Sequence, residues 1–225
     1  MKPVIVIRPE PGCSATVAAA RAAGLEAHGF PLQEVAPVAW ESPDSGSFDV
    51  ILAGSANVFR HGGAALRKFL SLPVHAVGQA TAEAARAAGF TVERVGEGGL
   101  QGLLDSHAGD ALRYLRLAGR EHVDLVAPQQ VAITTCITYE TVELLMPEAL
   151  VARLADPAIV LLHSATSARH FAAECDRLGV HRGAITLGSL GPRITAAAGE
   201  GWQSVHNAER PADMALLAMI GDMCH

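Results

Sequence analysis

Four short turns carry the residues best placed for chemistry in this sequence: Ser55-Ala56-Asn57, Gln79-Ala80-Thr81, Ser164-Ala165-Thr166 and Gly191-Pro192. Each follows a short apolar run and precedes a segment of helical period, so each reads as a strand-to-helix turn. At such a turn the first backbone N–H groups of the helix lack intrahelical partners and point outward with the positive end of the helix dipole. The chemistry on offer is anion binding, with carboxylates or phosphates held by backbone amides. Ser, Thr and Asn also cap helices for purely local reasons. Four turns in matched positions give the ligand reading its weight.

Other chemistries lack their signatures. The first strand leads into Arg8-Pro9-Glu10-Pro11-Gly12, not G-x-G-x-x-G, so no nicotinamide cofactor is expected. The sequence has no G-x-x-x-x-G-K-[ST] loop, and Gly54-Ser55 lacks the spacing of a G-x-S-x-G elbow. The ten histidines form no H-x-x-x-H pair, and the four cysteines (Cys13, Cys136, Cys175, Cys224) no C-x-x-C, so neither a metal nor a disulfide frame is expected. A sugar-converting enzyme would need a carboxylate or histidine at a strand end, and Glu140 is the one tempting carboxylate.

The elements that must position these turns repeat. Residues 52–61 overlay residues 161–170 without a gap, with Leu, Ser, Ala, Arg and His coinciding at a constant offset of 109 positions. A second pair, residues 77–81 and 190–193, follows with a one-residue gap. Repeats about a hundred residues apart predict two similar domains, not a solenoid. Five strands are expected at 49–54, 73–78, 91–95, 111–116 and 131–140, with helices near 57–70, 80–88, 99–107 and 119–127. Beyond Tyr139 only three follow, at 158–163, 184–188 and 203–207, while the N-terminus offers two, at 4–8 and 25–32, around a helix at 14–23. The expected architecture is α/β: two flavodoxin-like, doubly wound parallel-sheet domains joined by a two-stranded linker. One domain is discontinuous, residues 1–35 plus 143–225, and the other is inserted, residues 36–142. Two crossings side by side would form a hinge, with a ligand cleft between the domains.

Half of the residues are apolar and 18% are charged, which excludes a disordered chain. A net charge of −6 without a Lys/Arg cluster argues against nucleic acid. The longest apolar runs are strand-sized, so no membrane span is expected. Met1-Lys2-Pro3 runs straight into a strand without a leader pattern, and scattered cysteines suit a reducing compartment, so a cytoplasmic location is expected.

With these segments in view the chain resembles the uroporphyrinogen-III synthase family along nearly its whole length. The resemblance lies in residues 48–57, in Pro73–Ala82 followed by Ala88-Gly89-Phe90, in residues 111–119 with Val123-Asp124-Leu125, and in Ile137-Thr138-Tyr139-Glu140-Thr141. It continues in residues 159–171, 190–202 and 208–217. Ala53-Gly54 stands where members tend to have Phe-Thr, and Arg193-Ile194 where many have Thr-Thr. The resemblance implies a monomeric lyase that needs no cofactor and closes hydroxymethylbilane, a linear tetrapyrrole with acetate and propionate arms, into a ring with its last pyrrole inverted. Tyr139, matching the family's tyrosine, is then the expected general acid or the group that positions the substrate for it. The substrate's carboxylates would meet Ser55, Ala56, Asn57, Gln79, Ala80, Thr81, Ser164, Ala165, Gly191 and Pro192, with Arg8 and Arg116 reaching in from strand ends. The alternative is a non-enzymatic two-domain binding protein for a polyanionic small molecule.

Overall fold

The computed structural model describes residues 2–106 and 111–224, so residue 107 of the helix expected at 99–107 lies outside the described residues. In chain order the elements are β1 (Val4–Val6), α1 (Gly12–Ala22), β2 (Ala27–Gly29), β3 (Gln33–Pro37), β4 (Val50–Ala53), α2 (Asn57–His61), β5 (Val74–Val77), α3 (Gln79–Ala87), β6 (Val92–Gly96) and α4 (Gly99–Asp105). They continue with β7 (Arg113–Gly119), β8 (Ala132–Glu143), α5 (Glu148–Leu154), β9 (Ala158–Leu162), α6 (Ala165–Leu178), β10 (Ile185–Ser189), α7 (Pro192–Ala198), β11 (Ser204–Asn207) and α8 (Asp213–Cys224). None of these helices is long and apolar enough to cross a membrane.

The chain divides into two compact units, Met1–Glu34 with Val142–His225, and Val35–Thr141. In the discontinuous unit the sheet order is β11-β10-β9-β1-β2, every pair parallel. Val4 pairs Ile159 on one side and Ala27 on the other. Taken in chain order this is 2-1-3-4-5, the flavodoxin-like order. Ile5, Ile7, Val160, Leu162 and Leu187 pack one face under α5, α6 and α7 through Leu150, Leu154, Phe171 and Ala198. Val4, Val6, Ile159 and Leu161 pack the other under α1 and α8, through Val17, Ala20, Leu216 and Ile220. Strands buried on both faces explain the unbroken apolar runs that make them visible in the sequence.

In the inserted unit the order is β3-β8-β7-β4-β5-β6, with β4 to β8 parallel. Counted from β4 this is 3-2-1-4-5, the other common doubly wound order, so the two sheets differ in winding. The bonds Val38 N–H to Thr138 O and Leu144 N–H to Leu32 O run β3 opposite to β8 along the segment where the chain passes between units. Ile51, Ala53, Leu115 and Leu117 pack one face against α2 and α3. Val50, Leu52 and Tyr114 pack the other against Leu103 and Leu104 of α4.

Two expected helices differ. The segment 57–70 is not one helix: α2 stops at His61, and Gly62-Gly63, with Gly63 at φ +68°, precedes a separate 3₁₀ turn over residues 64–69. The helix expected at 119–127 is absent. Residues 119 and 113–118 are strand, and 120–131 run without helix, held where the Gln101 amide both accepts from Val126 N–H and donates to Val126 O, each at 2.9 Å. Val123, Val126 and Pro128 explain it, because two β-branched residues and a proline make a weak helical stretch.

Candidate functional site

In an open doubly wound sheet the natural crevice lies at the carboxyl ends of the strands, where the strand order reverses. In the inserted unit that point is between β4 and β7, the pair that follows it in the register Leu52 to Arg116. A cavity of about 170 Å³ opens there, lined among others by Gly54, Ser55, Leu100, Arg116, His122 and Tyr139. Ser55 is half-buried, and its hydroxyl accepts from the Asn57 N–H at 3.2 Å, so it organises the turn into α2. Ala56 and Asn57 are half-buried beside it, and Asn57 Oδ1 accepts from Arg60 at 3.4 Å.

Tyr139 reaches the cavity from the second half of β8. Its ring lies over Gly119: a Cβ there would sit 2.6 Å from the ring carbons, so only glycine lets the tyrosine close on β7. His61 lies beside it with ring centroids 6.4 Å apart. Partial burial and the adjacent Arg60 pull the His61 imidazole below its ordinary range. Glu140 is not available as a free carboxylate, since it accepts from Arg120 at 2.6 Å.

Arg116 is not at an open strand end. It is 3% exposed, donates from Nη2 to Val123 O at 2.7 Å, and its Nε is buried with no partner. Its burial follows from the place of β7 as a central strand whose residues from Tyr114 to Gly119 are all buried.

The second turn of the inserted unit opens α3 behind Gly78, whose φ of +78° is a conformation that favours glycine. Gln79 and Ala80 are exposed at its first turn, the Gln79 amide donating to Glu83 at 3.4 Å. Thr81 is 5% exposed and packs inward, so the sequence expectation of a rim contact does not fit its side chain. Alanines at 82 and 85 bring α3 close to the sheet, and Thr81 goes in with them.

In the discontinuous unit the reversal lies between β1 and β9. There Arg8 is held by Asp213 of α8, with Nη1 2.9 Å from Oδ2, and the Thr16 hydroxyl donates to the same oxygen at 2.6 Å. Gly12 makes room for Arg8, since a Cβ there would meet the guanidinium at 2.5 Å. Arg8 is thus committed to an ion pair, contrary to its expected role on ligand carboxylates. His163, 5% exposed at the side chain, places Nε2 3.3 Å from Asp213 Oδ1, close in charge but outside hydrogen-bonding geometry. Burial first, then Arg8, holds its imidazole well below the usual range, with Asp213 opposing.

The other two turns belong to the same unit. Ser164 caps α6 by accepting from Ser167 N–H at 3.1 Å and donates to the Ser167 hydroxyl, which donates to Gln33 Oε1 at 2.5 Å. Ala165 is half-buried in the first turn. Gly191 and Pro192 open α7, where the Gly191 N–H is taken by Ser189 Oγ at 3.1 Å and Ser189 donates to Asn207 at 2.9 Å. Residue spacing gave no sign of Leu100, His122, His163 or Asp213; the step from Ser164 back to His163 parallels the step from Ser55 back to Gly54, and that is the one signal available. Among the described residues no group of three or more His, Cys, Asp or Glu could hold a metal ion.

The solved structures place this architecture. The crystal structure of uroporphyrinogen-III synthetase from Helicobacter pylori superposes with a TM-score of 0.70 at 16% identity, covering 99% of this chain and 100% of that one. A mutant uroporphyrinogen III synthase from Thermus thermophilus gives 0.53 at 17% identity, with 100% of both chains covered. At such identities the likeness establishes the fold. No curated protein matches the chain by sequence. The family described as uroporphyrinogen-III synthase HemD matches residues 14–218, nearly the full length, and the chain belongs to that family.

Proposed function

We propose that this protein cyclises hydroxymethylbilane to uroporphyrinogen III, inverting the last pyrrole ring, without a metal or redox cofactor. The observation that carries the proposal is the company of Tyr139: on the strand where the family's tyrosine falls, it shares a strand-end cavity with the Ser55 turn. The Tyr139 hydroxyl donates its proton to the terminal hydroxyl of the substrate, which departs as water and leaves an azafulvene cation. Attack by the substituted carbon of the last ring gives a spiro intermediate. That intermediate fragments and recloses with the ring reversed, and loss of a proton restores aromaticity. The cation reacts readily, so the protein's larger task is orientation. Helix N-termini serve that task through the substrate's carboxylates. α6, of 14 residues, and α3, of nine, bring the fuller dipoles, whereas α2 and α7 span five and seven. Backbone amides make an anionic ligand compatible with a net charge of −6. The protein would act as a cytoplasmic monomer, in keeping with free thiols at Cys13, Cys136 and Cys175.

The test is incubation with enzymatically generated hydroxymethylbilane, oxidation, and separation of the uroporphyrin isomers. An excess of type III over the spontaneous type I product is expected, unchanged by a chelator. Type I alone would sink the proposal, and activity lost to chelation and restored by zinc would sink its cofactor-free part.

A further inference from the structure

The cavity at the reversal of the inserted sheet holds an arrangement that structural needs do not account for. Arg116 sits on the β7 face that carries Tyr114, opposite the face of Leu115 and Leu117. Among the described residues that face carries α4, with the non-helical segment 120–131 meeting Arg116 at Val123 O. One guanidinium nitrogen is spent on Val123 O, Nε is buried without a partner, and the side chain lines the cavity. A buried charge with an unmet donor is costly to a fold, and a replacement by an apolar residue of like shape is often neutral or better. Burial pulls the Arg116 proton affinity down and Asp124 opposes it, yet among the described residues no carboxylate forms an ion pair with it.

We propose that this cavity is a subsite for one carboxylate-tipped arm of the substrate, in which the Arg116 guanidinium donates to the carboxylate and Ser55 and Tyr139 line its stem. The inference rests on the proposed function and adds where one arm goes. An arm anchored beside Tyr139 fixes one pyrrole relative to the acid, which is what selection of the inverted closure needs.

The experiment uses the full chain and fluorescent uroporphyrin III as the probe, comparing wild type with Arg116→Met and with Leu100→Trp, which narrows the cavity but leaves Arg116 in place. Kd is read by fluorescence titration, the type III to type I ratio in the turnover assay, and folding by thermal melts. Loss of a charge-assisted hydrogen bond predicts roughly ten- to hundred-fold weaker binding for Arg116→Met. A lowered isomer ratio is expected with it, and a melt at or above that of wild type. If Arg116→Met fails to fold, Leu100→Trp decides, with the same direction expected. Unchanged Kd and ratio in a folded variant would overturn the subsite, as would a wild type that does not bind uroporphyrin III. A wild type that yields type I alone defeats the proposed function; if Kd still rises in the variants, the subsite stands without it.

Discussion

The two units solve the same topological problem and leave opposite results at their strand-order reversals. Between β1 and β9 the crevice is filled from within: Arg8, Thr16 and His163 converge on Asp213. Between β4 and β7 the corresponding place is open, with a buried guanidinium nitrogen unmet. The repeated Ser-Ala turns therefore do not make equal sites. Ser164 caps a helix of 14 residues and is locked through Ser167 to Gln33. Ser55 precedes a helix of five, with Gly54 beside it where the other unit has His163. What the difference teaches is that a duplicated fold can keep one crevice as structure and free the other for a ligand.

The comparison can be broken in three ways. The largest effect is expected at the open crevice: Tyr139→Phe should lower the rate of type III formation by about 10²-fold, at the lower end for general acid catalysis, because water can replace part of the phenol's role. Initial rates with hydroxymethylbilane measure it, and full activity would reduce Tyr139 to packing on Gly119. At the filled crevice Asp213→Ala should instead cost stability, about 1–3 kcal/mol for Arg8 and Thr16 left without their acceptor. Denaturant unfolding reads the loss, and an isomer ratio that collapses while the fold survives would show that this crevice handles substrate too.

The smallest effect concerns pH. Burial keeps His163 neutral in the fold, while in the unfolded chain it takes up a proton as pH falls through about 6.5. Below that pH the unfolded state binds more protons, so stability should decline on acidification, by at most about 1.4 kcal/mol for each pH unit. In His163→Leu this part of the decline should vanish; melts from pH 5 to 7.5 with the slope unaltered would remove His163 from the account.

The alternation of strands and helices was legible in the sequence because parallel strands buried on both faces read as apolar runs, Val4–Val6 and Ala158–Leu162 among them. β3 was not, since Gln33-Glu34-Val35-Ala36-Pro37 has neither an apolar run nor strict alternation. The helix expected at 119–127 shows the converse failure. Charged and apolar residues there allowed a helical period, but a long-range clamp from Gln101 decided the outcome. At the sites, turns could be found because they are local. The pairing of Arg8 with Asp213, 205 positions away, and the burial of Arg116 under a segment that is not a helix depend on tertiary packing that local patterns do not encode.

The pairing of Val4 with Ile159 has a consequence for synthesis. The strand β1 leaves the ribosome early, yet its neighbour β9 is made 155 residues later. At elongation rates of roughly 5–20 residues per second, β1 and α1 wait on the order of 10–30 s. Throughout that wait Ile5 and Ile7, wholly buried in the finished fold, lack the residues of β9 and α6 that cover them. The inserted unit, Val35–Thr141, has all its own residues within that interval. The nascent chain thus carries a finished insert next to an incomplete apolar sheet, and the N-terminal segment is where a chaperone would find its hold.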